Sequence, residues 1–135
     1  MSVVVGFVDR PEGEAAFDLA IRVAKHRETD LVLVHSLKGG TSDSIESAEV
    51  YARKLDEMDR RLTEEGVEHT VKEYVRGNEP VEDLVRAAAE FEADLIVIGI
   101  RRRSQTGKLL LGSNATDILF NAPCPVLTVR ANSLK

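Results

Sequence analysis

Three short segments of the chain are apolar at nearly every position, namely residues 3–8, 31–34 and 95–98. They consist mainly of valine, isoleucine and leucine, and polar residues or glycine flank them. Continuous runs of this kind are typical of strands that are buried on both faces, as in a parallel sheet. We therefore predict three central strands.

Two further segments indicate strands at the edges of the sheet. Val67, Val71 and Val75 are separated by mostly polar residues, which predicts a half-solvated strand over about residues 67–75. Residues 125–130 form a short, largely apolar run that opens with Pro125. Proline cannot donate a hydrogen bond to a neighbouring strand, so a first-residue or edge position suits it.

Helical patterns separate the five strands. Apolar residues recur at the spacing of one helix face, Pro80 suits a first helical turn, and Gly66 suits the end of a helix. The apolar positions of the four predicted helices are Ala16, Leu19, Ala20, Val23 and Ala24; Ile45, Ala48, Ala52, Leu55 and Leu62; Val81, Leu84, Val85, Ala88 and Ala89; and Ala115, Ile118 and Leu119.

The alternation of strand and helix predicts a single α/β domain over residues 1–135, with an open, parallel five-stranded sheet between two layers of helices. The order 3-2-1-4-5 places the three apolar strands in the centre, whereas the order 2-1-3-4-5 would place the polar third strand there. In the preferred order the topology reverses between the first and fourth strands, and open α/β sheets bind ligands at such a reversal. The segments that meet there are residues 8–10 and the loop from Gly99 onward.

The composition narrows the range of partners. The chain has 135 residues, a formal net charge of −5 and 4% aromatic residues, which argues against nucleic acid or an anionic membrane as a partner. The single cysteine, Cys124, excludes an internal disulfide and fits a cytoplasmic location. Cysteine and histidine show no metal-ligand spacing, so we expect no metal site of that kind.

The loop of residues 99–113 is a basic segment in an acidic chain. It contains three arginines, Lys108 and no acidic residue, so it carries +4 and the rest of the chain carries −9. Gly112 and Ser113 stand at a predicted helix start, where backbone N–H groups and the helix dipole favour an anion. This pattern predicts a phosphate site. The alternative is that Gly112 is a turn residue, Ser113 an ordinary N-cap and the arginines a solvated loop.

The chain resembles the universal stress protein family over nearly its whole length. The likeness rests on the valine-rich first strand that ends in Asp9, on the second strand that ends at His35 and Ser36, and on the loop before the last helix and strand. His35 ends a buried strand, and we expect it to be a structural histidine with its hydrogen bonds satisfied.

The nucleotide-binding branch of that family carries the motif Gly-x-x-Gly-x9-Gly-Ser/Thr. Gly99, Gly112 and Ser113 fit this motif, whereas Arg102 replaces the second glycine. If a phosphate must approach the backbone there, Arg102 obstructs it; if not, the guanidinium could clamp a phosphate instead.

The resemblance implies an adenine nucleotide alpha hydrolase-like fold with the same strand order, and ATP, with or without Mg²⁺, between strands one and four. It places Asp9 at the ribose or adenine end and the Ser36 backbone at the adenine edge. From the residues alone, Asp9 could equally be a capping residue and Ser36 an exposed strand end. The complete set of implied binding residues is Phe7, Val8, Asp9, Ser36, Gly99, Arg101, Arg102, Gly112, Ser113, Asn114 and Ala115.

Three functions remain open from the sequence. The first is an ATP-binding stress-response module with at most slow hydrolysis, because no residue is evidently placed as a general base. The second is an interaction module of the same family that binds no nucleotide. The replacement of the motif glycine by Arg102 favours this function. The third is a phosphotransfer or nucleotide-hydrolysing enzyme. The first two imply a homodimer through the fifth strand at Val126 and Leu127, since an unpaired strand edge is a template for pairing.

Overall fold

The computed structural model describes residues 2–37, 45–75, 80–101 and 113–131, and strands and helices alternate through these ranges. The strands form one parallel sheet in the order β3-β2-β1-β4-β5. This order confirms the preferred prediction, and the alternative with a central third strand is wrong. In the described ranges, no helix combines the length and hydropathy that crossing a membrane requires. The elements are β1 (Ser2–Gly6), α1 (Pro11–Arg27), β2 (Asp30–Leu37), α2 (Ile45–Glu64), β3 (His69–Val75), α3 (Pro80–Glu90), β4 (Leu95–Ile100), α4 (Ser113–Asn121) and β5 (Val126–Arg130).

The central strands are buried on both faces, as the apolar runs predicted. Along β1, Val3 and Val5 belong to the core cluster with α1 and α2, whereas Val4 belongs to the cluster with α3 and α4. Successive side chains of a strand point to opposite faces, so a strand between two helix layers needs apolar residues at every position. All three valines are fully buried. The sheet is therefore the middle layer of three.

Helix α1 brings its first turn to the carboxyl end of the sheet. Pro11, whose ring presets a helical backbone angle, starts the helix shortly after β1 ends. Ala16, Ala20 and Ala24 are buried and lie four residues apart, on one helix face. Their short side chains let α1 pack closely on β1 and β4, the two strands that it contacts most.

Three strand boundaries differ slightly from the sequence pattern. β1 ends at Gly6, so Phe7, Val8 and Asp9 follow the strand instead of forming its end. β3 begins at His69, because Val67 is buried in the preceding loop and its carbonyl accepts a hydrogen bond from His69 Nδ1 at 2.8 Å. β5 begins at Val126, one residue after Pro125. The carbonyl of Pro125 still accepts a hydrogen bond from the Ile96 amide at 3.0 Å. Proline thus joins the sheet as an acceptor, the only role that its backbone allows.

Candidate functional site

A cleft of about 250 Å³ opens at the carboxyl ends of β1 and β4. β1 pairs with β2 on one side and β4 on the other, so the topological reversal lies between β1 and β4, where sequence analysis placed the site. We call this space the β1/β4 cleft. Among the described residues it is lined by Gly6, Phe7, Val8, Arg10, Glu12, Gly13, Ala16, Val34, Ser36, Val81, Leu84, Val97, Ile98, Gly99, Ile100, Arg101, Asn114, Ala115 and Ile118.

The lining of the β1/β4 cleft combines an apolar surface with a few charges. Leu84 and Ile98 are buried core residues that contribute to its apolar part. Its charged side chains among the described residues are Arg10, Glu12 and Arg101, and the Arg10 guanidinium lies 4.0 Å from the Glu12 carboxylate. Two cations against one anion give a local positive excess in a chain whose net charge is −5. Such a lining suits a ligand with an apolar part and an anionic part.

Ser36 presents backbone groups beyond the end of β1. The last aligned pair of β1 and β2 is Gly6 with Val34, and the Val34 carbonyl still accepts a hydrogen bond from the Phe7 amide at 2.7 Å. Backbone polar groups alternate between the two sides of a strand, so those of Ser36 point to the same side as those of Val34. On that side β1 has already ended, and Ser36 lines the cleft.

The N-terminus of α4 lies at the β1/β4 cleft. The helix starts at Ser113, and the next two residues, Asn114 and Ala115, line the cleft. Asn114 is exposed and Ala115 is buried against the core. The first-turn N–H groups of a helix have no partner within the helix, and its dipole is positive at that end. This end of the cleft is therefore suited to an anionic group.

Two glycines fix the shape of the wall between the sheet and α1. A Cβ atom on Gly99 would lie 1.9 Å from the carbonyl oxygen of Glu12, in the first turn of α1. A Cβ atom on Gly13 would lie 2.0 Å from the carbonyl oxygen of Val8. Both positions therefore require glycine for packing alone, whatever the cleft binds. The family resemblance implied that Gly99 lies beside the phosphates of a nucleotide. Gly13 was not predicted, although a glycine in the first turn of a helix is itself a sign of close packing.

The structure gathers seven of the eleven predicted binding residues around the β1/β4 cleft, namely Phe7, Val8, Ser36, Gly99, Arg101, Asn114 and Ala115. Ser113 begins α4 beside them. Arg102 and Gly112 lie outside the described residues. Asp9 does not line this cleft but a second depression. Glu12 lines the cleft without having been predicted, whereas Arg10 was predicted as part of the segment 8–10 that meets at the topological reversal, though not as a binding residue.

Asp9 lines a second depression, between α1 and α2, which we call the α1/α2 groove. The Asp9 carboxylate accepts a hydrogen bond from the Lys54 ammonium group of α2, and this hydrogen bond raises the pKa of Lys54. A second ion pair spans the same groove, where Arg61 Nη1 lies 2.5 Å from Asp18 Oδ1. Sequence analysis could not anticipate the Lys54 contact, because 45 residues separate the partners. The groove is lined by Phe7, Val8, Asp9, Gly13, Glu14, Phe17, Asp18, Lys54, Glu57, Met58 and Arg61.

His35 is buried behind the cleft, but its hydrogen bonds are not satisfied as expected. Its ring packs edge-on against Phe7, with centroids 5.1 Å apart, and lies 6.2 Å from the ring of Tyr51. Its Nδ1 atom is buried and has no hydrogen-bond partner within the part of the chain that the structure describes. Burial lowers the pKa of His35 below its ordinary value, and the nearby Glu73 carboxylate acts in the opposite direction. The neutral ring is therefore the form that suits this aromatic cluster.

Comparison with known proteins agrees with the fold. The model of the universal stress protein family matches residues 1–130. A universal stress protein of Mycolicibacterium smegmatis is 34% identical over 128 residues, which are 95% of this chain and 96% of that protein. Among solved structures, a universal stress protein from Archaeoglobus fulgidus has a TM-score of 0.78 at 37% identity, covering 95% of this chain and 97% of that one. Another from the same organism, solved in complex with dAMP, has a TM-score of 0.71 at 30% identity, covering 95% and 96%. On sequence and on fold alike, this chain belongs to the universal stress protein family.

Proposed function

We propose that the β1/β4 cleft binds an adenine nucleotide, ATP in the first place, and that the chain acts as a nucleotide-responsive module in the stress response. The observation that carries the proposal is the cleft itself. At the topological reversal it brings together an apolar lining, backbone groups of Ser36, the N-terminus of α4 and the cation Arg101. A base, a ribose and a chain of phosphates need these elements together. The dAMP complex of the relative with 30% identity supports the assignment.

Each part of the nucleotide has a suitable counterpart in the described residues. Phe7 and Val8 offer the base an apolar surface, and the backbone of Ser36 offers a donor and an acceptor for its edge. Arg101 and the first turn of α4, with Asn114, offer donors for the phosphates. Mg²⁺, where it takes part, would enter with the phosphates of ATP.

The cleft is better suited to binding than to fast catalysis. Glu12 is the acidic side chain among its described lining residues, and the adjacent Arg10 compensates its charge. A carboxylate paired with a guanidinium is a poor general base for activating water. We therefore expect hydrolysis of ATP to be slow at most. Phosphate release close to that of a buffer blank would agree with this, and rapid turnover would contradict it.

Calorimetric titration with Mg-ATP, AMP and adenosine tests the assignment. We expect wild-type protein to bind ATP, and Arg101→Ala to weaken ATP binding by about three- to tenfold through loss of a charge-assisted contact. The affinity for adenosine, which has no phosphate, should change much less in Arg101→Ala. Arg22→Ala, which removes an exposed arginine of α1 outside the cleft, is the matched control. No binding of any adenylate at millimolar concentration would refute the proposal, as would equal losses in both variants.

A module of the same family without nucleotide is the second candidate. Two observations favour it: Arg102 stands where the family motif has glycine, and the Asp9 carboxylate is paired with Lys54 and lies outside the cleft. Denaturing freshly purified protein and analysing the supernatant separates the two candidates. A released adenine nucleotide would reject this second function. Its absence together with a flat titration would support it.

We further propose that two copies of the chain pair through β5. This strand is at the edge of the sheet and pairs with β4 alone among the described strands. Leu127 is 37% exposed on it, and Phe120 of the neighbouring α4 is 83% exposed. Light scattering should show twice the chain mass of 14.9 kDa. Leu127→Asp should yield the single-chain mass, whereas Val50→Asp, on an exposed apolar residue of α2, should not. A wild-type protein of single-chain mass would refute the pairing.

A cytoplasmic location accompanies these proposals. The single cysteine, Cys124, suits a reducing compartment because the fold needs no disulfide. Fractionation of cells that express the full chain with a small tag would test it. Recovery mainly in the membrane or secreted fraction would contradict it.

A further inference from the structure

Asp9 lies at the boundary between the β1/β4 cleft and the α1/α2 groove. Its chain neighbours Val8 and Arg10 line the cleft, whereas Asp9 itself lines the groove. Phe7, Val8 and Gly13 line both spaces, so the β1–α1 turn forms a thin wall between them. For its carboxylate to reach the cleft, the Asp9 side chain has to move out of the groove.

Lys54 holds the Asp9 carboxylate on the groove side. The ammonium group donates a hydrogen bond to Asp9 Oδ1, and the pair links α2 to the end of β1 across 45 residues of sequence. The Lys54 side chain is 41% exposed and the Asp9 side chain 37%. Ion pairs with this much exposure contribute little to stability, because water screens their attraction. A ligand that offers the carboxylate other hydrogen-bond donors can therefore displace the ammonium group.

We propose that Lys54 is a positioning residue that competes with the nucleoside for the Asp9 carboxylate. In the absence of ligand, Lys54 keeps the carboxylate in the α1/α2 groove. When a nucleoside occupies the β1/β4 cleft, its hydroxyl or amino donors compete for that carboxylate, and the link from β1 to α2 opens. Occupancy of the cleft is thereby transmitted to α2. This inference rests on the proposed function.

Adenosine is the probe that isolates this competition. Removing a lysine near the cleft weakens the long-range attraction for any phosphate, which would mask a gain in the binding of AMP or ATP. Adenosine has no phosphate, so it reports only on the nucleoside donors. Lys54→Met keeps the apolar part of the side chain and removes its charge. Arg61→Met is the matched control, because it breaks the parallel ion pair with Asp18 in the same groove.

Dissociation constants for adenosine should be measured for wild type, Lys54→Met, Arg61→Met, Asp9→Asn and the Lys54→Met/Asp9→Asn double variant. Loss of an exposed ion pair corresponds to about two- to fivefold in affinity, so Lys54→Met should bind adenosine tighter by that factor. Arg61→Met should match wild type. In the Asp9→Asn background, Lys54→Met should change nothing. Circular dichroism of each variant confirms that it is folded.

The outcomes separate this inference from the proposed function. If wild type binds adenosine and Lys54→Met binds it equally well or more weakly, the competition is overturned, whereas the proposed function stands. An equal gain in adenosine affinity in Arg61→Met would also overturn the competition. The same holds if Lys54→Met still raises adenosine affinity in the Asp9→Asn background. Absence of adenosine binding in every variant would overturn the competition, and absence of ATP binding by the wild type as well would overturn the proposed function. Binding that Lys54→Met shows and wild type lacks would support the competition directly.

Discussion

Replacing Gly99 by alanine tests whether the wall of the β1/β4 cleft is built by packing or by the ligand. The added Cβ atom would lie 1.9 Å from the carbonyl oxygen and 2.4 Å from the carbonyl carbon of Glu12. Real Cβ contacts essentially never fall below 3.0 Å. Because the obstacle is backbone and not the end of a flexible side chain, β4 and the first turn of α1 must separate by about 1 Å.

The magnitude follows from the size of this overlap. Overpacking a tight site typically costs about 1–3 kcal/mol, and an obstacle that cannot rotate away favours the upper half of that range. A domain of 135 residues has an unfolding entropy of about 0.28 kcal/mol per kelvin. A loss of about 2–3 kcal/mol should then lower Tm by about 7–11 °C. We expect this loss without any ligand present.

Thermal unfolding followed by far-ultraviolet circular dichroism measures the effect. Gly6→Ala is the matched control, because Gly6 also lines the cleft but, of the described residues, its added Cβ would meet only Leu84, whose Cδ1 lies at an ordinary 3.6 Å. Its Tm should stay within about 2 °C of wild type, since no backbone has to move. If Gly99→Ala had the same Tm as Gly6→Ala and lost only nucleotide binding, the packing explanation would be refuted.

Two titrating side chains give further predictions. Burial lowers the pKa of His35 below 6.5 in the folded state, so unfolding takes up a proton in the window just below pH 6.5, and stability should fall there as the pH decreases, by up to about 1.4 kcal/mol per pH unit. In urea unfolding between about pH 5 and pH 8, His35→Leu should remove this part of the dependence; an unchanged slope would contradict the assignment. Burial and the hydrogen bond to Glu90 raise the pKa of Tyr74 to about 12. In a Tyr51→Phe background, absorbance of the remaining tyrosinate should develop only near that pH, and earlier when Glu90→Gln is added. Ionisation near pH 10 in the folded protein would contradict this prediction.

The fold was predictable from the sequence because its signal is local. A strand with helices on both faces must be apolar at every position, and β1, β2 and β4 carry this pattern in uninterrupted runs. Among the described strands β3 pairs with β2 alone, and its mixture of polar and apolar residues predicted an edge strand from composition. The boundaries at His69 and Val126 are the positions where pairing with β2 and β4 begins, which residue patterns do not encode.

The candidate site was predictable only in part, because its decisive contacts are long-range. The strand ends gave Phe7 and Ser36, and the helix start gave Asn114, since topology alone brings those segments together. The position of Asp9 depends on Lys54, which lies on a helix face that has no distinguishing pattern. The expectation that the hydrogen bonds of His35 are satisfied was wrong for Nδ1, which is buried and has no partner among the residues that the structure describes, while the ring packs edge-on against Phe7.

The two sides of the β1–α1 turn differ in what can move. On the side of the β1/β4 cleft, Gly13 and Gly99 bring backbone against backbone, so a shift of the turn has to move α1 or β4 as a whole. On the side of the α1/α2 groove, Asp9 is held by one exposed ion pair that water already weakens. A ligand in the cleft therefore faces a rigid wall, and the exchangeable Asp9 side chain lies on the other side of that wall. Because the softer element responds first, any signal of occupancy should pass through Asp9 to α2, while the sheet keeps its shape.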